Sequence, residues 1–154
     1  FLSFNGEVLN KGSFLAFTVA KNLKTSGISR VFDQSNINGG AVLYNSGNDE
    51  LFGLTSAGGI VINRGSGVLV QGLRTSQILS GNSKIRQNGG NEINNTTTFT
   101  MSGNTNIAFV IGENSPASNQ SFQGTMQEIV IYTTDNNVNI AAIETQINNN
   151  YSIY

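Results

Sequence analysis

The segment that most restricts the fold is Gly124-Thr-Met-Gln-Glu-Ile-Val-Ile-Tyr132 together with the twenty or so residues C-terminal to it. An apolar run of strand length stops at a tyrosine and crosses a few polar residues. It then enters a stretch in which Ile140, Ile143, Ile147 and Tyr151 recur at three- and four-residue intervals. That spacing places the four on one face of a helix. Asn136 or Asn137 is the expected N-cap, and Asn148, Asn149 and Asn150 weaken the helix where it should end. Only the segment near Asn139 to Asn149 has a helical period. Circular dichroism is therefore expected to show a β-dominated spectrum with helix well below the roughly one third of an average globular protein.

Upstream, short apolar runs recur between turn residues. Phe14-Leu-Ala-Phe-Thr-Val-Ala20 is apolar on both alternating faces, as a central strand covered on two sides must be. Arg30–Phe32, Ala41–Tyr44, Leu51–Leu54, Ile60–Ile62 and Val68–Val70 read as further short strands, and Thr105–Ile111 and Thr125–Tyr132 as the last two. Asn88-Gly89, between Lys84–Gln87 and Asn91–Ile93, is the strongest hairpin signal, because a type I′ turn needs positive φ at both central residues. Asn5-Gly6 and Asn38-Gly39 are weaker versions of it. The 154 residues contain 23 asparagines against 17 charged residues, a composition suited to many strands joined by polar turns. The pattern favours a sandwich or barrel over βαβ units, in a single domain spanning 1–154.

Cysteine and histidine are both absent. Disulfide frameworks, thiol nucleophiles, imidazole bases and the commonest zinc and iron sites go with them. Net charge is −1, so the whole molecule projects no field that would gather nucleic acid or an anionic membrane. All eight basic residues lie between Lys11 and Arg86. No run approaches the ~20 apolar residues of a membrane-spanning helix, and no signal peptide is seen. The chain opens at Phe1, which implies a mature product or a part of a longer protein.

Five pieces in order resemble the laminin-G-like, concanavalin A-like jelly-roll domains of bacterial and phage proteins. They are Ser13 to Lys21, Ile85 to Gly89, Phe109 to Gly112, the closing strand Gly124 to Tyr132, and Asn150-Tyr151 at the end of the helix. The resemblance implies an antiparallel β-sandwich with a short C-terminal α-helix. Departures are Asp135 and Asn139 where such domains carry a leucine and a capping-box glutamate, and Asn150 where they carry lysine. Such domains also begin with a strand before the one that Phe1–Phe4 resembles. The expectation is an edge left open at the start of the chain and covered inside a larger protein or assembly.

The candidate sites are few. Strict alternation puts Glu128 on one face with Met126, Val130 and Tyr132, where it reads as a structural acid bonded to backbone or a neighbouring strand. Glycoside hydrolysis normally needs two flanking carboxylates, and the E-x-D-x-x-E strand of the related glucanases is missing. No enzyme is expected. Asp49-Glu50, near Asn45 and Asn48, offers hard oxygen ligands that suit calcium, or else a solvated hairpin tip. No other cofactor is expected. Gly58-Gly59 and Gly89-Gly90 neither open a helix nor precede a P-loop lysine, and read as turns. For a glycan, Tyr44 with Asn45 and Asn48 is the candidate contact set, although tryptophan, the best sugar platform, is missing. Asn94, Asn95, Asn119 and Asn150 stand in sequons that matter only in a eukaryotic secretory setting. These features imply a non-catalytic interaction or structural module of an extracellular, cell-surface or virion assembly. Its partners are proteins or, alternatively, cell-surface glycans, with no nucleic acid and no membrane insertion.

Overall fold

The computed structural model describes residues 2–4, 9, 13–36, 39–46, 49–54, 61–63, 70–99, 108–112, 120–133 and 138–154. For residues 2, 4, 35, 36, 39–46, 49–54, 61 and 63 the description is of the backbone alone. In chain order the strands are β1 (Leu2–Phe4), β2 (Phe14–Asn22), β3 (Ile28–Asn36), β4 (Gly39–Ser46), β5 (Asp49–Leu54) and β6 (Val61–Asn63). They continue as β7 (Gly72–Ile78), β8 (Ser83–Gln87), β9 (Ile93–Asn95), β10 (Phe109–Ile111) and β11 (Gly124–Tyr132), and the helix α1 is Ile140–Tyr151. Two sheets form, ordered β1-β10-β3-β4-β5-β6 and β11-β2-β7-β8-β9, and every described strand pair is antiparallel. No described helix is long and apolar enough to cross a membrane.

Strand β2 organises the core because its two faces are buried against different layers. Phe14 and Ala16 point between the sheets, where they meet Val31, Phe32, Ile62, Ile78, Ile85 and Phe109. Phe32 makes an edge-to-face contact with Phe14 at 6.2 Å between ring centres. The alternate residues Leu15, Phe17 and Val19 point the other way, onto Leu73 and Ile147, with Val130, Val138, Ile140, Ile143 and Tyr151 packed around them. The helix therefore lies on the outer face of the five-stranded sheet, and the apolar run on both faces of β2 has a layer for each. Phe14, Phe17 and Phe32 are fully buried, each worth about 1.5–3 kcal/mol of transfer free energy.

The helix begins one turn later than its asparagines suggest. Asn139, not Asn136 or Asn137, is the N-cap, its side chain accepting from the Ala142 amide. Asn136 and Asn137 lie outside the described residues. At the other end the asparagines extend the helix to Tyr151. Asn148 Oδ1 accepts from the amides of Ile153 and Tyr154, and its Nδ2 donates to the Tyr154 carbonyl. This ties the last residues back onto the helix. A Cβ on Gly89 would lie 3.0 Å from the Tyr154 hydroxyl.

Burial pushes that hydroxyl above the ordinary tyrosine value, with the Glu144 carboxylate adding to the effect and Arg86 opposing it. A raised value means that the folded chain holds the proton more tightly. The contribution is complete below the unfolded value near 10 and is lost as pH climbs through the folded one. An alkaline absorbance titration should show a late-ionising tyrosine that Tyr154→Phe removes.

Strand β7, Gly72-Leu-Arg-Thr-Ser-Gln-Ile78, carries no apolar strand pattern, yet it lies between β2 and β8 with every residue buried. The run expected at Val68–Val70 is not a described strand: 68 and 69 lie outside the described residues and Val70 is 66% exposed. The turn at Asn88-Gly89 is as expected, with φ of 52° and 63° and Gly90 N donating to the Gln87 carbonyl at 2.9 Å. Its ladder starts further back, at Ile85 opposite Ile93, because Asn88 keeps pairing with β7 through Leu73.

Candidate functional site at an open sheet edge

The described carboxylates are dispersed, and three of them are held by cations. Asp33 Oδ2 accepts from Arg30 Nη1 at 2.9 Å, and Arg30 Nε donates to Gln120 Oε1 at 2.9 Å. With the Arg30 amide on the Gln120 carbonyl, this cluster anchors the segment before β11 to β3. Glu92 pairs with Lys84 on the surface at 3.2 Å. Glu144, on the sheet-facing side of α1, accepts from Arg86 Nε at 2.7 Å and Arg86 Nη2 at 2.6 Å, and Thr75 Oγ1 also donates to it. The role expected for Glu128, a buried acid satisfied by a neighbouring strand, belongs to Glu144. Its sequence signal is position: it stands four residues after Ile140 and three before Ile147, on the apolar face.

Glu128 itself makes no hydrogen bond or ion pair among the described residues. A β-bulge lies between Met126, opposite Ala20, and Glu128, opposite Val19. Gln127 is the extra residue, so the alternation slips there. Met126 packs into the core between the sheets together with Ile129 and Ile131. Glu128, Val130 and Tyr132 fall on the face that carries the helix, where Tyr132 meets Phe17 edge-on at 6.2 Å. The expectation that Glu128 shares a face with Met126 is thus corrected, and the bulge is the reason.

Among the described residues β11 has a neighbour on one side only, β2. The consequence is visible in exposure, since β2 is buried at all positions but Lys21 while no residue of β11 is buried. A groove of about 230 Å³ opens at the bulge, lined by Ile111 at the end of β10 and by Met126, Gln127, Glu128 and Ile129. Strands β6 and β9 meet on the opposite side of the sandwich, which leaves β1 and β11 as the edge strands of the other side among the described residues. Leu2–Phe4 is the edge strand of the six-stranded sheet, paired with β10, and β11 is an edge strand of the five-stranded one.

The glycan and calcium candidates gather at the β4–β5 connection. Tyr44 is opposite both Arg30 and Leu51, Asn45 opposite Ser29 and Glu50, and Ser46 opposite Asp49. Asp49 and Glu50 are the first residues of β5 rather than loop-tip residues, because the ladder runs to the end of the hairpin. Asn48 and the side chains of Tyr44, Asn45, Asp49 and Glu50 lie outside the described residues. Among the described residues no group of three potential metal ligands converges.

No family model and no curated protein matches this chain. Solved structures do match in fold. One is of botulinum neurotoxin type C, whose cell entry depends on interaction with two ganglioside molecules: TM-score 0.63, 18% identity, 90% of this chain and 36% of that one. A second is the mouse laminin alpha1 chain, domains LG4-5: TM-score 0.62, 9% identity, 79% of this chain and 36% of that one. A third is the binding domain of botulinum neurotoxin DC in complex with rat synaptotagmin II: TM-score 0.61, 15% identity, 90% of this chain and 36% of that one. The chain therefore spans about a third of the length of each. The fold is an antiparallel jelly-roll sandwich of the laminin-G-like kind with a short C-terminal helix.

Proposed function

We propose that this chain is a non-catalytic binding module, a single domain of the bacterial or phage type. It works inside an extracellular or virion assembly and docks a protein partner along the β11 edge. The observation that carries this reading is the edge itself, a nine-residue strand none of whose residues is buried and which has one strand neighbour among the described residues, beside a groove where Ile111, Met126 and Ile129 meet Gln127 and Glu128. The dispersal of the described carboxylates supports the non-catalytic part, since glycoside hydrolysis requires two of them flanking one bond. Glu128→Gln is expected to leave polysaccharide hydrolysis at background, as in the parent chain. Turnover of β-glucan by the parent chain, lost in the variant, would make this an enzyme.

A second reading, glycan binding, is favoured by the fold neighbour whose entry depends on gangliosides and by the register that gathers Tyr44, Asn45, Asp49 and Glu50. Under it, Tyr44, Asn45 and Asn48 contact sugar, and Asp49 and Glu50 hold a calcium ion at the hairpin. A glycan array run with and without calcium separates the two readings. The protein-binding reading expects no signal above background. A hit that disappears on chelation and in Tyr44→Ala would favour the sugar.

A further inference from the structure

We propose that the partner enters β11 as an extended strand carrying a lysine or arginine, adding a sixth strand to the five-stranded sheet. This rests on the protein-binding reading above and specifies its chemistry.

The bulge divides the edge in two. Beyond it, Glu128-Ile-Val-Ile-Tyr132 is an uninterrupted run in register with β2, from Val19 to Leu15, whose outward backbone groups face no other strand among the described residues. Edges of this kind are usually blunted by lysine, proline or further bulges, and none occurs between Glu128 and Tyr132. A strand added there has its side chains divided by the pleat. Those beside Ile129 and Ile131 face inward, toward core residues that are only half-buried. Those beside Glu128, Val130 and Tyr132 face the helix side.

The groove volume, about 230 Å³, is below the range usual for small-ligand pockets and suits a side chain delivered by such a strand. Glu128 sets the charge. Glu128 borders the groove, its side chain stands on the helix side of the edge, and it makes no ion pair among the described residues, so a basic residue opposite it gains one and an acidic residue is repelled. A second copy of this chain presenting its own β11 supplies no such cation, because no lysine or arginine occurs after Arg86. The complementarity points to a foreign segment, recognised by main-chain pairing with alternate apolar side chains and a basic residue in register.

The test uses two labelled peptides containing Lys-Val-Thr-Val-Lys or Glu-Val-Thr-Val-Glu, sequences that read alike in either strand direction. Fluorescence polarisation at low salt should show the lysine peptide binding about tenfold more tightly, with the preference shrinking as salt rises. Glu128→Lys should reverse the preference while leaving the circular dichroism spectrum unchanged, because the residue is at an edge. Amide exchange should slow along 128–132 only with the preferred peptide. Equal affinities, or no binding at about millimolar peptide, would overturn the proposal. So would light scattering that shows a dimer whose protected amides are those of β11. A glycan-array hit that maps to the β4–β5 hairpin is a separate readout: it defeats the protein-binding reading without bearing on whether β11 accepts a strand.

Discussion

Arg86→Ala should destabilise the fold by about 3–5 kcal/mol, the usual consequence of removing one member of a buried ion pair and stranding the other. The stranded group is Glu144, whose side chain is 4% exposed and which would keep only the Thr75 hydroxyl. The reciprocal change should cost less. The Arg86 side chain is 19% exposed, so after Glu144→Ala its guanidinium can turn toward water along its aliphatic stem. Urea unfolding of the two single variants and of Arg86→Leu with Glu144→Leu would measure this. The double variant should recover much of the loss, since matched apolar residues often replace a buried pair without penalty. Equal losses from both single variants would refute the stranded-carboxylate account, and a double variant worse than either would show that the pair contributes net stability by itself.

The second large effect is expected at Gly124, where β11 begins. A Cβ there would sit 1.9 Å from the carbonyl oxygen of Lys21 and 3.2 Å from Cα of Asn22, both backbone atoms of the paired strand. The residue also has φ of 153°, open to glycine and costly for any other residue. Gly124→Ala must separate β11 from β2 at its first two pairs, with an expected loss of about 3 kcal/mol or more, read as a fall in the urea midpoint. Gly27→Ala is the control. Its φ is 71°, but the nearest atom to its Cβ is the flexible end of Lys24 at 3.8 Å, so only conformational strain of about 1 kcal/mol is expected. Similar losses at the two positions would refute the steric account.

The parts legible in the sequence are those in which side-chain pattern and burial coincide. Phe14–Ala20, the apolar helix face from Ile140 to Tyr151, and the Asn88-Gly89 turn all arise from local spacing or local backbone demand. Strand β7 is hidden because its burial has a different cause. It places Arg74 and Ser76 between the sheets and Thr75 under the helix, and two of these are held by hydrogen-bond partners: Arg74 Nη1 donates to the carbonyls of Ala20 and Gly72, and Thr75 meets Glu144. No apolar alternation marks such a strand. The face of Glu128 is hidden for a similar reason, since a single extra residue at Gln127 reverses the alternation across it. The Arg86–Glu144 contact joins residues far apart in the chain, and nothing near either of them announces the other.

The position of β2 also governs how quickly the chain can reach its native state. Neither partner of this strand is its sequence neighbour: Phe14 pairs with Ile78, and Leu15 with Tyr132. No hairpin can pair β2, so long loops must close before its contacts repay their entropy, which places folding in the slow, millisecond-to-second regime of non-local β topologies. During synthesis, β2 emerges early and waits with a hydrophobic ladder on both sides until β7, then β11, and last the helix leave the ribosome. Throughout that interval the run Phe14–Ala20 is the part of the nascent chain most in need of a chaperone.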